Sequence, residues 1–309
     1  MVSLTVSVPN KGSVPFTFDR QPVSKLTVGE VKAAIHSKYP KYVPNRQRLT
    51  IDVDGKKVAL VDDENTLSSY GVSDGSALRM KDLGRQTGYK WLYIWEYAGV
   101  IFLNPLFLHF SHHLWGRYEP STLQLTVRNL TILHFVKREF ESIFIHTHSR
   151  PTLPLSYVFR NVLYYWGVVG ILMGLTLYRP AYGARALQGS ILNDSRWINF
   201  WGFFILICEN LNFYTHYHLS TLRQPKGKPR KYPTGFGFGT AVCANYWFET
   251  LGVLGLLIMT GFDLGTLVYN IIAIYFMFRW SGQKYARYKK EFDPKIFPGK
   301  RYKFFPPLY

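Results

Sequence analysis

Chemistry in this sequence concentrates between Asn212 and Glu249, which reads N-F-Y-T-H-Y-H-L-S-T-L-R, a basic Pro/Gly loop, Y-P-T-G-F-G-F and, further on, A-N-Y-W-F-E. Polar side chains there leave an apolar stretch beside five cations, Arg223, Lys226, Lys228, Arg230 and Lys231, with no acid between them. Cations at that density suit the phosphates of a dinucleotide or of coenzyme A. Gly235, Gly237 and Gly239 would let the backbone approach a ligand closely. No G-x-G-x-x-G follows a strand, so a Rossmann site is not expected.

A second set of reactive side chains interrupts otherwise apolar segments: Glu96; Lys137, Arg138, Glu139 and Glu141; Glu209, Asn210 and Asn212; Asn245 and Glu249. A charge at mid-bilayer costs about 3 kcal/mol on insertion scales, so such residues predict a polar, partly hydrated cavity. His109-Phe-Ser-His112-His113 fits the H-x-x-H-H spacing of membrane di-iron oxygenases, but that site needs several such boxes. His146/His148 and His216/His218 stand two apart, which sends side chains to different helix faces, so no metal is expected.

Six apolar segments could position these groups: Trp91 to Trp115, Leu123 to Ile145, Leu155 to Tyr178, Ile198 to Tyr217, Thr240 to Thr260 and Leu264 to Trp280. Each approaches the roughly 20 residues needed to span a hydrocarbon core. The reading is a bundle of about six transmembrane helices, although the mean hydropathy of the whole chain lies near zero. Residues 1–82 hold 12 Lys/Arg against 9 Asp/Glu and the remainder 25 against 10, so the excess charge lies beside the apolar segments. There it reads as a topology signal and a partner for anionic ligands, with nucleic acid not expected. The basic loop and the tail from Arg279 to Lys303, which has nine Lys/Arg against two acids, both read as cytosolic. An even number of spans separates each from the N-terminal region, placing both termini on the cytosolic side. Cys208 and Cys243 imply no disulfide framework. The N-terminus lacks a basic stretch followed by an apolar one, so no cleaved signal is expected.

The first 82 residues read as a separate small α+β domain. Leu4, Val6 and Val8 alternate as a strand with Phe16 to Phe18 returning, and Thr27-Val-Gly-Glu30 is a capping box for a helix through Val31, Ala34 and Ile35. Gln47 to Ile51, a turn at Asp54-Gly55, Thr66 to Gly71 and a last strand at Ser76 to Met80 follow. This order resembles ubiquitin and its β-grasp fold, without the Gly-Gly tail needed for conjugation, so a docking, stabilising or passive capping role is expected. Residues 83–90 read as a linker and 91–309 as the membrane domain.

Seven pieces together carry a wider resemblance: Glu96-Tyr97-Ala-Gly99, His134 to Glu139, Tyr164-Tyr165-Trp166-Gly167, Asn212 to Arg223, Tyr232-Pro233-Thr234-Gly235, Asn245-Tyr246-x-x-Glu249 and Tyr285-x-x-Tyr288-Lys-Lys-x-Phe292. Over essentially its whole length the chain resembles the very-long-chain trans-2-enoyl-CoA reductases of the steroid 5α-reductase family. The resemblance implies an endoplasmic-reticulum enzyme that uses NADPH to saturate trans-2-enoyl-CoA, the last step of fatty acid elongation, also serving sphingolipid synthesis. It implies very-long-chain enoyl-CoA as substrate, and membrane lipids and other elongation enzymes as partners. Tyr246 resembles the family's essential tyrosine, the expected donor to the thioester oxygen, and Glu96 its substrate-side carboxylate, protonated or paired with Lys137 or Arg138. Asn212, His216, Arg223, Tyr232, Asn245, Glu249, Tyr285 and Tyr288 match positions lining the cofactor, with Phe135, Lys137 and Arg138 on the substrate side. His216 stands where steroid reductases carry an Asp, and Phe135 where a tyrosine holds the steroid ketone; the second departure favours an acyl-CoA.

Three alternatives remain open on these residues. Another membrane reductase would share most of the motifs. A methyltransferase of prenylated cysteine would share the Asn-x-x-Glu span and the basic tail, and a membrane-anchored ubiquitin-like adaptor would need no polar cavity.

Overall fold

The computed structural model describes residues 1–19, 22–146, 152–222, 224, 231–297 and 301–309, and the chain divides into two compact units. The first unit comprises Met1–Gly88 together with Arg150–Tyr157. Its strands are β1 (Val2–Val8), β2 (Gly12–Phe18), β3 (Gln47–Val53), β4 (Lys56–Leu60) and β5 (Ala77–Asp82), which form one sheet in the order β2-β1-β5-β3-β4. Only the β1–β5 pair is parallel among these neighbours. Helix α1 (Val28–Lys38) starts at the expected capping box: Glu30 N donates to Thr27 Oγ1 at 3.2 Å, and Thr27 N donates to Glu30 Oε2 at 2.7 Å. Two orphan amides of the first turn are thereby satisfied. Asp54 and Gly55, both at positive φ, form the tight turn between β3 and β4. Alternation along β1 buries Val2, Leu4, Val6 and Val8 against Val31 and Ile35 of α1 and Leu49 and Leu78 of the sheet. Within 83–90, expected as a linker, Gln86–Gly88 form a short strand, β6, paired antiparallel with β7 (Thr152–Pro154).

The second unit comprises Tyr89–Ser149 and Val158–Tyr309 and is helical. Its helices are α2 (Tyr89–Trp115), α3 (Thr122–Phe140), most of α4 (Ser156–Val162), α5 (Met173–Leu177), α6 (Ser195–Thr221), α7 (Ala244–Met259) and α8 (Leu264–Glu291). A π-helical turn, Glu141–Ile145, ends α3, and a π-helical stretch, Leu163–Leu172, joins α4 to α5. Wide helical turns of this kind re-aim side chains and recur at functional sites. Three of the starts are capped by side chains: Ser121 with Gln124 at α3, Asp194 at α6 and Asp263 at α8. Helix α8 runs eleven residues past Trp280, where its apolar segment was expected to stop.

Two segments among the described residues, Tyr89–His109 and Ser156–Leu177, are long and apolar enough to cross a membrane; α7 is apolar but shorter, at 16 residues. Large apolar side chains also stand on the outside of several helices, including Phe102 (66% exposed), Phe144 (69%), Leu163 (74%) and Phe203 (67%). Close helix approach depends on small residues. Gly99 of α2 faces the Trp166 ring so tightly that a Cβ there would fall 1.9 Å from its Nε1, and Gly255 of α7 abuts Phe204 and Ile205 of α6.

Candidate active site

The last turn of α3 brings Lys137 and Arg138 within one helical turn of Glu141, a spacing that favours side-chain pairing. Arg138 Nη1 donates to Glu141 Oε2 at 2.6 Å, and Lys137 Nζ lies 3.6 Å from Glu141 Oε1. The Glu141 side chain is fully buried. From α6, His216 Nδ1 stands 2.9 Å from Glu141 Oε2, and its Nε2 lies 3.3 Å from Asn245 Nδ2. Arg138 Nη1 lies 3.1 Å from the same Nδ1, so this nitrogen sits between a carboxylate and a guanidinium. Lys137 also bonds Glu209 Oε2 at 2.7 Å and Asn212 Oδ1 at 2.5 Å, and His134 Nδ1 lies 2.7 Å from Glu209 Oε1. Asn212 Nδ2 donates to the backbone carbonyl of Asn245 at 2.9 Å and lies 3.4 Å from Glu249 Oε2. A polar seam thus joins α3, α6 and α7 through paired charges, as buried ions require.

Beside this seam opens a cleft with a void of about 90 Å3. Its polar lining includes Arg138, Glu249, Asn161 and the tyrosines Tyr97, Tyr164 and Tyr165, while Phe135, Ala273, Phe276 and Met277 supply apolar wall. Arg138 Nη2 donates to the Tyr97 hydroxyl at 3.3 Å. Guanidinium and phenol groups inside an apolar wall can hold an oxygen that gains negative charge, and the wall itself suits hydrocarbon.

The expected site residues fall into three groups. Phe135, Arg138 and Glu249 line the cleft, whereas Lys137, Asn212, His216 and Asn245 belong to the seam. Tyr232, Tyr246, Tyr285 and Tyr288 share an aromatic cluster with Cys243, Phe297 and Phe304. Tyr246 is not on the cleft wall; its ring centroid lies 6.4 Å from that of Trp280, which is. Glu96, 1% exposed on α2, accepts from Asn161 Nδ2 at 2.8 Å, so the expected partner Lys137 or Arg138 does not hold it. Both cations are taken by Glu141 and Glu209, the first of which is only three or four residues away along the helix. Arg223 lies outside the described residues, as do Lys226, Lys228 and Arg230.

Several participants carried no sequence signal. Asn161, Tyr269 and Trp280 reach the cleft from α4 and α8, and Arg301 joins the aromatic cluster, donating to the Tyr232 hydroxyl at 2.8 Å and to the Phe238 carbonyl at 2.6 Å. The tail is pinned by Val242 N and Cys243 N, which donate to the carbonyls of Tyr302 and Lys303 at 2.9 Å each. Glu141, His146 and His216 place potential metal-ligand atoms within 4.8 Å of one another. The Arg138 guanidinium already occupies that carboxylate and opposes a dication there.

Residues 151–309 match the family described as 3-oxo-5-alpha-steroid 4-dehydrogenase. The chain is 32% identical over 278 residues to the very-long-chain enoyl-CoA reductase of Dictyostelium discoideum, covering 88% of this chain and 89% of that protein. It is 34% identical over 230 residues to a Schizosaccharomyces pombe protein carrying an enoyl reductase name, covering 74% and 75% respectively. Over 284 residues it is 24% identical to the human protein named trans-2,3-enoyl-CoA reductase-like, covering 87% and 74%. With a matched family segment over its C-terminal half and a relative of this identity over most of both chains, the protein belongs to the very-long-chain enoyl-CoA reductases, oxidoreductases of the steroid 5α-reductase type.

Proposed function

We propose that the protein reduces trans-2-enoyl-CoA to saturated acyl-CoA with NADPH, as the last step of very-long-chain fatty acid elongation, with its product also feeding sphingolipid synthesis. The observation that carries this reading is the Arg138–Tyr97 pair, which presents a cation and a phenol to a cleft otherwise walled by aromatic and aliphatic side chains. A thioester conjugated to a long hydrocarbon needs that combination, since negative charge develops on its oxygen during reduction.

The residues present fit a nicotinamide dinucleotide. Asn245 Oδ1 is buried and has no hydrogen-bond partner among the described residues, leaving an acceptor for an amide, and the partly buried Glu249 lines the cleft. Asn212 and His216 are bonded within the protein, so their part is to fix Asn245 and Glu249 in place. Tyr232, Tyr285, Tyr288 and Arg223 would hold the phosphate-bearing remainder, with the arginine favouring a 2′-phosphate. When bound, NADPH supplies a hydride for the β-carbon of the enoyl thioester. Arg138 and Tyr97 hold the thioester oxygen as charge builds there, and Tyr246 provides the proton donor that the α-carbon or that oxygen requires. Glu96, fixed by Asn161, orients the substrate side of the cleft.

Around this site we infer a bundle of about six membrane-spanning helices in the endoplasmic-reticulum membrane, residues 91–309, with both termini cytosolic. The belt of exposed aromatic and aliphatic side chains on α2, α4 and α6 supports contact with lipid. Residues 1–82 then form a ubiquitin-like domain with a docking or stabilising role, its sheet order and single capped helix supporting the β-grasp reading. The test is nicotinamide absorbance loss by purified protein given NADPH and long-chain trans-2-enoyl-CoA. Loss above background is expected, and its absence across chain lengths would remove this function.

A further inference from the structure

A second, narrower and much smaller cavity adjoins the cleft and shares His134, Phe135 and Tyr269 with it. Every helical segment that borders both spaces orders its residues in the same direction. On α7, Glu249 faces the cleft, and Gly252, Val253 and Leu256 face the second cavity. Along the π-helical stretch into α5, Tyr164 and Tyr165 line the cleft, and Val169 and Met173 the second cavity. On α3, Arg138 lies at the cleft and Leu130 at the second cavity, with His134 and Phe135 at the junction. The two spaces therefore lie end to end along the helix axes, and Glu249 to Leu256 alone covers about 10 Å.

Polarity falls along this line. His134 and Glu209 border the second cavity, but they pair with each other at 2.7 Å, and Lys137 holds the other Glu209 oxygen at 2.7 Å, so these charges are neutralised within the wall. Beyond them the lining is chiefly aliphatic, ending at Leu256 and Met173. An apolar extension of a polar reaction cleft suits the far end of a hydrocarbon chain whose head is held in the cleft.

We propose that the second cavity receives the distal acyl chain of the substrate, and that Met173 and Leu256 limit how far it reaches. This rests on the enoyl-CoA reading above and adds to it a physical basis for chain-length selection. Short substrates end in the cleft and gain nothing from the extension, whereas each methylene that enters is worth roughly fourfold in kcat/KM.

The test compares kcat/KM for a long-chain and a short-chain trans-2-enoyl-CoA in full-length wild type, Val253→Trp, which fills the extension, and Leu256→Ala, which lengthens it. The long-to-short ratio should fall at least tenfold in the first, and should rise roughly fourfold in the second for each further methylene admitted. Wild-type ratios in both variants would overturn the proposal, including the case in which a bilayer acyl chain fills the cavity instead. If Val253→Trp does not fold, an unchanged ratio in Leu256→Ala overturns it alone. Wild type that turns over no enoyl-CoA of any length defeats the reduction reading itself, before any variant is compared.

Discussion

His216 Nδ1 lies 2.9 Å from Glu141 Oε2 and ties α6 to the π-helical turn at the end of α3. The same oxygen receives Arg138 at 2.6 Å, so one fully buried carboxylate holds the cation that faces the cleft and the imidazole that contacts Asn245. Glu141→Gln keeps the shape and removes the charge, leaving the guanidinium without the carboxylate it is hydrogen-bonded to. We expect a loss of about 3 kcal/mol or more in stability, measured as a lower thermal inactivation midpoint in detergent, with reduced cofactor binding. A variant as heat-stable as wild type would show that Glu141 is not the counter-charge of Arg138.

Tyr246→Phe should fold and bind NADPH but lose about 10²- to 10⁴-fold in kcat, the usual contribution of a positioned proton donor. Because Tyr246 lies in the aromatic cluster and the Tyr97 hydroxyl is bonded by Arg138, Tyr97→Phe is the informative comparison. Wild-type turnover in Tyr246→Phe with collapse in Tyr97→Phe would transfer the donor role to Tyr97.

Gly99→Ala and Gly202→Ala form a matched pair on two helices. The first places a methyl 1.9 Å from the Trp166 ring, whose Nε1 donates to the Trp95 carbonyl at 2.9 Å, while the second meets nothing within 4 Å. Overpacking should cost Gly99→Ala about 1–3 kcal/mol, whereas Gly202→Ala should be neutral or gain up to about 1 kcal/mol from helix propensity. Equal thermal midpoints for the two would contradict the close packing of α2 on the π-helical stretch.

Arg46 holds Asp82 with two bonds, Nε to Oδ1 at 3.0 Å and Nη2 to Oδ2 at 2.6 Å, and Gly84 N adds a third at 2.9 Å. The side-chain bonds from Arg46 keep the Asp82 carboxyl below its ordinary value. A depressed folded value means that the pair's stability is present above the unfolded value of about 4 and is lost as pH falls through the folded one. Hydrogen exchange, corrected for its intrinsic pH dependence, should show protection of β3 and β5 falling in that acid window. Asp82→Asn should flatten the fall; an unchanged profile would exclude Asp82 as its source.

Local signals were the legible part of this fold. The Thr27/Glu30 capping box and the Asp54-Gly55 turn need only neighbours in sequence, and both form as read. Apolar windows likewise located the helices, although not the extension of α8 through its basic residues to Glu291. Strand β4 was missed because it is a short edge strand, and its Lys56 and Lys57 mask the alternation while guarding the edge. Pairings between distant segments were illegible: β6 with β7, Glu96 with Asn161, and Arg301 with Tyr232 each depend on the tertiary arrangement. The cation expected for Glu96 goes to a carboxylate one turn away, a competition that spacing alone could have flagged.

The most direct test of the central claim is the fate of the transferred hydride. Purified full-length protein is given NADPH deuterated at the transferable position together with a long-chain trans-2-enoyl-CoA, and the acyl product is analysed by mass spectrometry. Reduction in the cleft predicts one deuterium per product molecule, located at the β-carbon. Saturated product without deuterium at that carbon, or no saturated product from active wild-type preparations, would contradict it.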